Sequence, residues 1–210
     1  MPIEVLFLDL DGTLYPHGSG LWDLIAERME IYMHQVLDIP EDIIPSLRQA
    51  YFKKYGTTLG GLLANHSVDP EDFLSFVHDV PVGEYIKPDE DLGEILTKLP
   101  QIKWILTNSD KNHSNRVLTA LGVADLFTGI LGVSDLDFHN KPDPYVFEKA
   151  LETAGNPSPE SCLFADDLPQ NLLPAREMGF VTVLVGDGEK NDAAMYHIQE
   201  IIDLPKVLAS

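Results

Sequence analysis

A doubly wound α/β fold built on a parallel sheet is what this sequence predicts, and two observations carry the prediction. Short runs rich in Val, Ile, Leu and Phe recur along the chain with almost no polar interruption, as strands buried on both faces require. Between most of them lie stretches of helical periodicity with recognisable starts and stops. Strands alternating with helices of that length build a parallel sheet covered on both sides. One block departs from the alternation: a long helical stretch follows the first strand directly.

The first strand is expected over Ile3 to Leu8. From about Leu21 to His78 there is no strand signal. Trp22, Ile25, Met29, Met33 and Val36 recur there at spacings of three and four, which gives a helix one packing face. Tyr51, Phe52 and Tyr55, then Phe73, Phe76 and Val77, add further apolar positions. Pro16, Gly18 and Gly20 precede the block, and Pro81 and Gly83 follow it, so it reads as a lid on two hinges. The expected organisation is therefore a core of residues 1–15 and 85–210 with an all-helical cap of residues 16–84. Beyond the cap, helices are expected over Asp89 to Leu99, Lys111 to Leu121, Asp143 to Ala154 and Leu168 to Met178. Strands are expected over Ile102 to Leu106, Gly129 to Val133, Ser161 to Ala165 and Phe180 to Val185. Asp143 can cap a helix whose first position is Pro144, and Gly122, Gly155 and Gly179 each stand where a helix should stop.

Composition narrows the function. In 210 residues, 14 Lys and Arg face 34 Asp and Glu, a formal charge of −20. That field repels nucleic-acid backbones and anionic membrane surfaces. The single Cys162 excludes an internal disulfide and a thiolate metal centre. No apolar run reaches the roughly 18 residues of a membrane span, and Val5 to Leu8 lacks the basic flank of a secretory leader. Gly18-x-Gly20 and Gly186-x-Gly188 lack the third glycine of a dinucleotide loop. The expectation is a cytoplasmic protein, monomer or homodimer, acting on a small molecule rather than a nucleic-acid polymer or a membrane.

The chemistry-bearing residues gather at strand ends. The first strand runs into Asp9-Leu10-Asp11-Gly12-Thr13, and carboxylates two apart can serve one ligand. The second runs into Thr107-Asn108-Ser109 before a helix, a setting suited to an anion. Lys141-Pro142-Asp143-Pro144 holds a lysine in a stiff loop. The fourth ends at Asp166-Asp167, a pair whose mutual repulsion calls for a cation. Each alone has an ordinary explanation: a turn, an N-cap, a solvated lysine, a solvated acidic pair. Together they place acid-x-acid, Thr, Lys and Asp-Asp on one rim, the carboxyl edge of the sheet where α/β proteins bind ligands.

This set of motifs resembles the haloacid dehalogenase-like hydrolase superfamily across essentially the whole chain. Asp9 to Thr13 is similar to its first motif, Thr107 to its second, Lys141 to its third and Asp166-Asp167 to its fourth. The helical block is similar to the cap that many members insert after the first strand. Tyr55-Gly56-Thr57-Thr58-Leu59-Gly60-Gly61-Leu62, Asp110-Lys111-Asn112-His113 and Leu121 to Phe127 resemble the pyrimidine 5′-nucleotidase subgroup. Gly12 stands where that subgroup often has Asn, and Gly60 where relatives commonly carry a basic residue.

The resemblance implies a Rossmann-like core and phosphoryl transfer to water. Asp9 would be the nucleophile that forms an aspartyl phosphate, and Asp11 the acid and base for the leaving group and the attacking water. Mg²⁺ would be held by Asp9, Asp166, Asp167 and the Asp11 carbonyl. Thr107, Asn108 and Lys141 would bind the transferring oxygens. Tyr55, Thr58 and His66 in the cap are the expected substrate contacts. A pyrimidine nucleoside monophosphate is the expected substrate, with a sugar phosphate or a phosphomutase reaction as the alternative. The carboxylate at Asp11 separates this expectation from a dehalogenase.

Overall fold

The computed structural model describes residues 2–187 and 192–209. Gly188, part of the second glycine pair, lies outside the described residues. Six parallel strands form one sheet: β1 (Val5–Leu8), β2 (Ile102–Leu106), β3 (Gly129–Leu131), β4 (Cys162–Asp166), β5 (Val181–Val185) and β6 (Tyr196–Ile198). Their spatial order is β3-β2-β1-β4-β5-β6, so the chain winds outward from β1 in both directions. The five expected strands are present: β2 as expected, β1, β3 and β5 shortened, and β4 moved one residue on to end at Asp166. The edge strand β6 was not anticipated, because three residues carry too little alternation to register.

Between β1 and β2 the chain forms α1 (Leu21–Gln35), α2 (Ile44–Tyr55), α3 (Thr58–Asn65), α4 (Pro70–Val77), the single turn α5 (Val82–Tyr85) and α6 (Glu90–Lys98). After β2 come α7 (Lys111–Leu121), α8 (Pro144–Thr153), α9 (Pro169–Glu177) and the short α10 (Leu204–Leu208). The helix starts follow capping chemistry. The Asp110 carboxylate accepts from the N–H groups of Asn112 and His113, and Asp143 accepts from Tyr145 N–H ahead of Pro144. Gly122 ends α7 in the left-handed conformation.

Strand pleating divides the core. Leu6 and Leu8 of β1 join Leu92, Leu96, Val117 and Leu121 on one face of the sheet. Val5 and Phe7 point the other way, into a layer with Val146, Phe147, Leu172 and Ala175. Phe7, Phe147, Phe164 and Phe180 form the aromatic centre of that second layer, with ring centroids 5.2 to 6.0 Å apart. A third cluster is carried largely by α1 to α4, with Tyr32, Met33, Tyr51, Leu62 and Phe73 among its buried members. Of the face anticipated on α1, Ile25 and Met33 are buried whereas Val36 is exposed just past the helix end. No described helix is long and apolar enough to cross a membrane.

Candidate active site

The sheet topology brings the strand-end motifs together. β1 lies between β2 and β4, so Asp9 sits beside both Thr107 and Asp166. Asp9 continues the strand pairing by donating its N–H to the Ala165 carbonyl at 2.9 Å. Suitable oxygens of Asp9, Asp166 and Asp167 lie within 4.8 Å of one another. Lys141, 1% exposed, reaches into this group from the loop before α8. Its ammonium donates to Asp9 Oδ1 and Asp166 Oδ2 at 2.7 Å each, and to the Leu106 carbonyl at 2.9 Å.

The loop carrying Lys141 is clamped by Asn108. Asn108 Oδ1 accepts from Lys141 N–H at 2.8 Å, and its Nδ2 donates to the Lys141 carbonyl at 3.1 Å. Asn108 therefore spends its side chain on aiming the lysine. Thr107 is buried, and its hydroxyl oxygen accepts from Ser109 N–H at 3.0 Å. On the opposite side, Asn171 in the first turn of α9 donates to both Asp166 oxygens at 3.0 and 3.1 Å, and Leu168 N–H donates to Oδ1 at 2.8 Å.

Burial raises Asp9 well above the usual carboxylate range and raises Asp166 as well, against the opposing pull of Lys141. Burial alone would lower Lys141, but the Asp166 and Asp9 carboxylates hold its ammonium above its ordinary value. Three hard oxygen donors crowded around one shared ammonium fit a divalent cation of the Mg²⁺ type. At Gly12, φ is +91° and a side chain would run into His17 and Asp167. Glycine there lets His17 approach Asp167, with Nε2 2.9 Å from Oδ2.

Asp11 faces away from this cluster. Its carboxylate accepts from Tyr15 OH at 2.5 Å and Ser109 Oγ at 2.6 Å, and lies 3.2 Å from His113 Nε2. Burial would raise its pKa, but the His113, Ser109 and Tyr15 contacts pull it well below the ordinary value. His113 is fully buried and stacked on His78, which follows α4, with ring centroids 4.4 Å apart.

A cavity of about 530 Å³ opens over Asp9 and runs up between the sheet rim and the helices of the block after β1. Thr58 lines it, together with Thr107, Asn108 and Lys141. Tyr55 and His66 are not among its lining residues. Tyr55 comes at the end of α2, where Asn65 donates to its hydroxyl at 3.2 Å and Lys54 lies over its ring. His66 caps the end of α3 and is tied to the Tyr51 hydroxyl at 2.8 Å. Lining residues that sequence reasoning did not single out for the site are Trp22, Glu30, Arg48 and Phe52. Pro45, Arg48, Gln49 and Phe52 follow the i, i+3, i+4, i+7 spacing of one helix face, a pattern visible in the sequence once α2 is placed.

Strand order and rim chemistry converge with sequence comparison. A family model described as a haloacid dehalogenase-like hydrolase matches residues 3–179, and the chain belongs to that family of hydrolases. It is similar to Phosphate metabolism protein 8 of Saccharomyces cerevisiae, 30% identical over 232 residues covering 98% of this chain and 72% of that protein. It is also similar to Glyceraldehyde 3-phosphate phosphatase of Methanocaldococcus jannaschii, 22% identical over 228 residues and 98% of each chain. Among solved structures, the magnesium-bound HAD-hydrolase YfnB of Bacillus subtilis matches 100% of both chains with a TM-score of 0.69 at 17% identity, a likeness of fold.

Proposed function

We propose that this hydrolase is a Mg²⁺-dependent phosphatase of small phosphate monoesters, working through an aspartyl phosphate on Asp9. One observation carries the reading: Asp9, the buried residue that follows β1 and lines the cavity, is gathered with Asp166, Asp167 and the ammonium of Lys141. The names of the two curated relatives, one in phosphate metabolism and one a phosphatase, support the same chemistry.

Asp9, Asp166, Asp167 and the Asp11 carbonyl would hold the cation. When bound, it supplies the charge that lets an anionic nucleophile meet an anionic phosphate. Asp9 attacks phosphorus; the P–O bond to the leaving group breaks, and the leaving oxygen takes a proton from Asp11. Water then attacks the aspartyl phosphate, losing a proton to Asp11 and releasing phosphate with Asp9 restored. Lys141 and the Thr107 hydroxyl stabilise the phosphoryl oxygens as charge spreads over them, and Asn108 keeps Lys141 in place. To serve as the acid, Asp11 must leave Tyr15, Ser109 and His113, which hold it as an acceptor.

Residues 16–84 act as the cap in this reading, closing over the cavity from hinges near Pro16–Gly20 and Pro81–Gly83. The substrate is a pyrimidine nucleoside monophosphate, by resemblance of the Tyr55 to Leu62 and Asp110 to His113 segments. A sugar phosphate is the second reading, favoured by the glyceraldehyde 3-phosphate phosphatase relative. The test is turnover of a phosphate-ester panel with Mg²⁺ and with EDTA. Activity should vanish on chelation, return with Mg²⁺, and fall by several orders of magnitude in Asp9→Asn. Full turnover by metal-free protein, or by Asp9→Asn, removes this mechanism.

A further inference from the structure

The cavity over Asp9 does not end at the phosphate chemistry. Part of its lining is built by two helix faces. α1 contributes Trp22, Met29 and Glu30, which recur over two helical turns, and α2 contributes Arg48 and Phe52, one turn apart. Arg48 Nη1 donates to Glu30 Oε1 at 2.6 Å. The remainder of that guanidinium is poorly served: Nη2 reaches only the Met29 sulfur at 3.8 Å, and Nε is buried with no partner. Glu30 keeps its second oxygen out of this bond, and its side chain is 42% exposed.

We propose that Arg48 and Glu30 form the subsite that reads the leaving group, hydrogen-bonding the edge of a flat heterocycle that presents a carbonyl beside an N–H. The inference rests on the phosphatase reading above and assigns residues to its substrate preference. The argument is one of charge and shape. Glu30 neutralises Arg48, so the pair does not make a second anion site, and a substrate with one phosphate suits it better than one with two. A neutral pair with free donors on one partner and a free acceptor on the other matches a ligand edge that alternates acceptor and donor. The Trp22 and Phe52 rings in the same cavity offer faces for a planar ring, and an open-chain sugar phosphate has no such face to stack. A uracil ring, with N3–H between two carbonyls, has both properties. Turning toward a ligand carbonyl also gives the guanidinium the bonding its resting geometry lacks.

The experiment compares kcat/KM for UMP and for ribose 5-phosphate, which keeps the 5′-phosphate and sugar but lacks the base. It is run with Mg²⁺ on wild type, Arg48→Met and Glu30→Gln. Wild type should favour UMP, and each variant should reduce the UMP to ribose 5-phosphate ratio at least tenfold, mainly through KM. In parallel, UMP binding to Asp9→Asn and to Asp9→Asn/Arg48→Met is followed calorimetrically, with thermal melting to verify folding. The Kd should rise at least tenfold in the double variant. An unchanged ratio and an unchanged Kd in folded variants overturn the subsite while leaving a nucleotide phosphatase standing. A wild type that hydrolyses ribose 5-phosphate as well as UMP overturns both the subsite and the nucleotide preference, leaving the phosphatase core. If no ester is turned over, the phosphatase reading fails, and the calorimetric comparison still decides whether Arg48 binds UMP.

Discussion

Lys141→Met is the perturbation whose cost can be worked most directly from the structure. The lysine is 1% exposed, and its ammonium makes two 2.7 Å bonds to the buried carboxylates of Asp9 and Asp166. Methionine has a comparable length and fills the same channel, so the packing loss is small. What is lost is the counter-charge. Removing one partner of a buried ion pair costs about 3–5 kcal/mol, because the remaining charge stays buried without compensation. The Leu106 carbonyl, which accepts from the same ammonium at 2.9 Å, is orphaned at a further cost of about 1 kcal/mol. A loss of about 4 kcal/mol or more follows, which for a chain of this length corresponds to roughly 8–16 °C in Tm. Thermal and urea unfolding in EDTA, where no cation can take the place of the ammonium, measure it. The double variant Lys141→Met/Asp166→Asn should recover at least half the loss, since it removes one of the stranded charges. A single variant melting within 3 °C of wild type would show that the pair contributes no net stability. A double variant with no recovery would assign the loss to packing.

Two more outcomes follow from the same coordinates. Gly61→Ala would push a methyl group into the Tyr51 ring, which packs α3 on α2, so stability should fall by about 1–3 kcal/mol without loss of the metal-site residues; an unchanged urea midpoint would show that the ring yields freely. Burial holds His78 below its ordinary pKa of about 6.5, even with Asp110 beside it and Arg116 donating to its carbonyl. The unfolded chain then binds more protons than the native one between that lowered value and about 6.5, so the contribution of His78 to stability is complete above about pH 6.5 and is lost as pH falls through that window. Urea unfolding at pH 7.5 and 5.5 should show a smaller drop in His78→Gln than in wild type, and equal drops would refute the assignment.

Much of the fold was legible because its signals are local. Continuous apolar runs mark strands buried on both faces, and Asp110, Asp143, Gly122 and Gly179 mark helix ends by chemistry contained within a turn or two. The rim residues Asp9, Thr107, Lys141 and Asp166 were legible for a related reason: each directly follows or ends a strand, or sits in a stiff loop before a helix. What was missed depends on tertiary placement. Ser109 and His113, though part of quoted motifs, meet Asp11 only across 98 and 102 positions of sequence, so their bonds to it could not be read from the motifs. Tyr55 and His66 drew notice as an aromatic ring and an imidazole in the helical block after β1, but the end of α2 and the C-cap of α3 commit them to Asn65 and Tyr51. Residue type identified the chemistry such side chains could do, whereas the partners each found in the folded chain decided which of them reached the cavity.

Composition and site also explain each other. A chain at −20 gains no long-range attraction for a phosphate ester, so the attraction must be local. Yet the one described lysine lining the cavity is already shared by Asp9 and Asp166, with Asp167 alongside. Three carboxylates against one ammonium leave that cluster negative, and Arg48 in the same lining is neutralised by Glu30. The described lining adds only His17, already 2.9 Å from Asp167, and the buried His78 to that count, so surplus positive charge is lacking where the phosphate would sit. A divalent cation held by the same carboxylates would remove that deficit, so the charge count of the cavity supports the metal dependence proposed above.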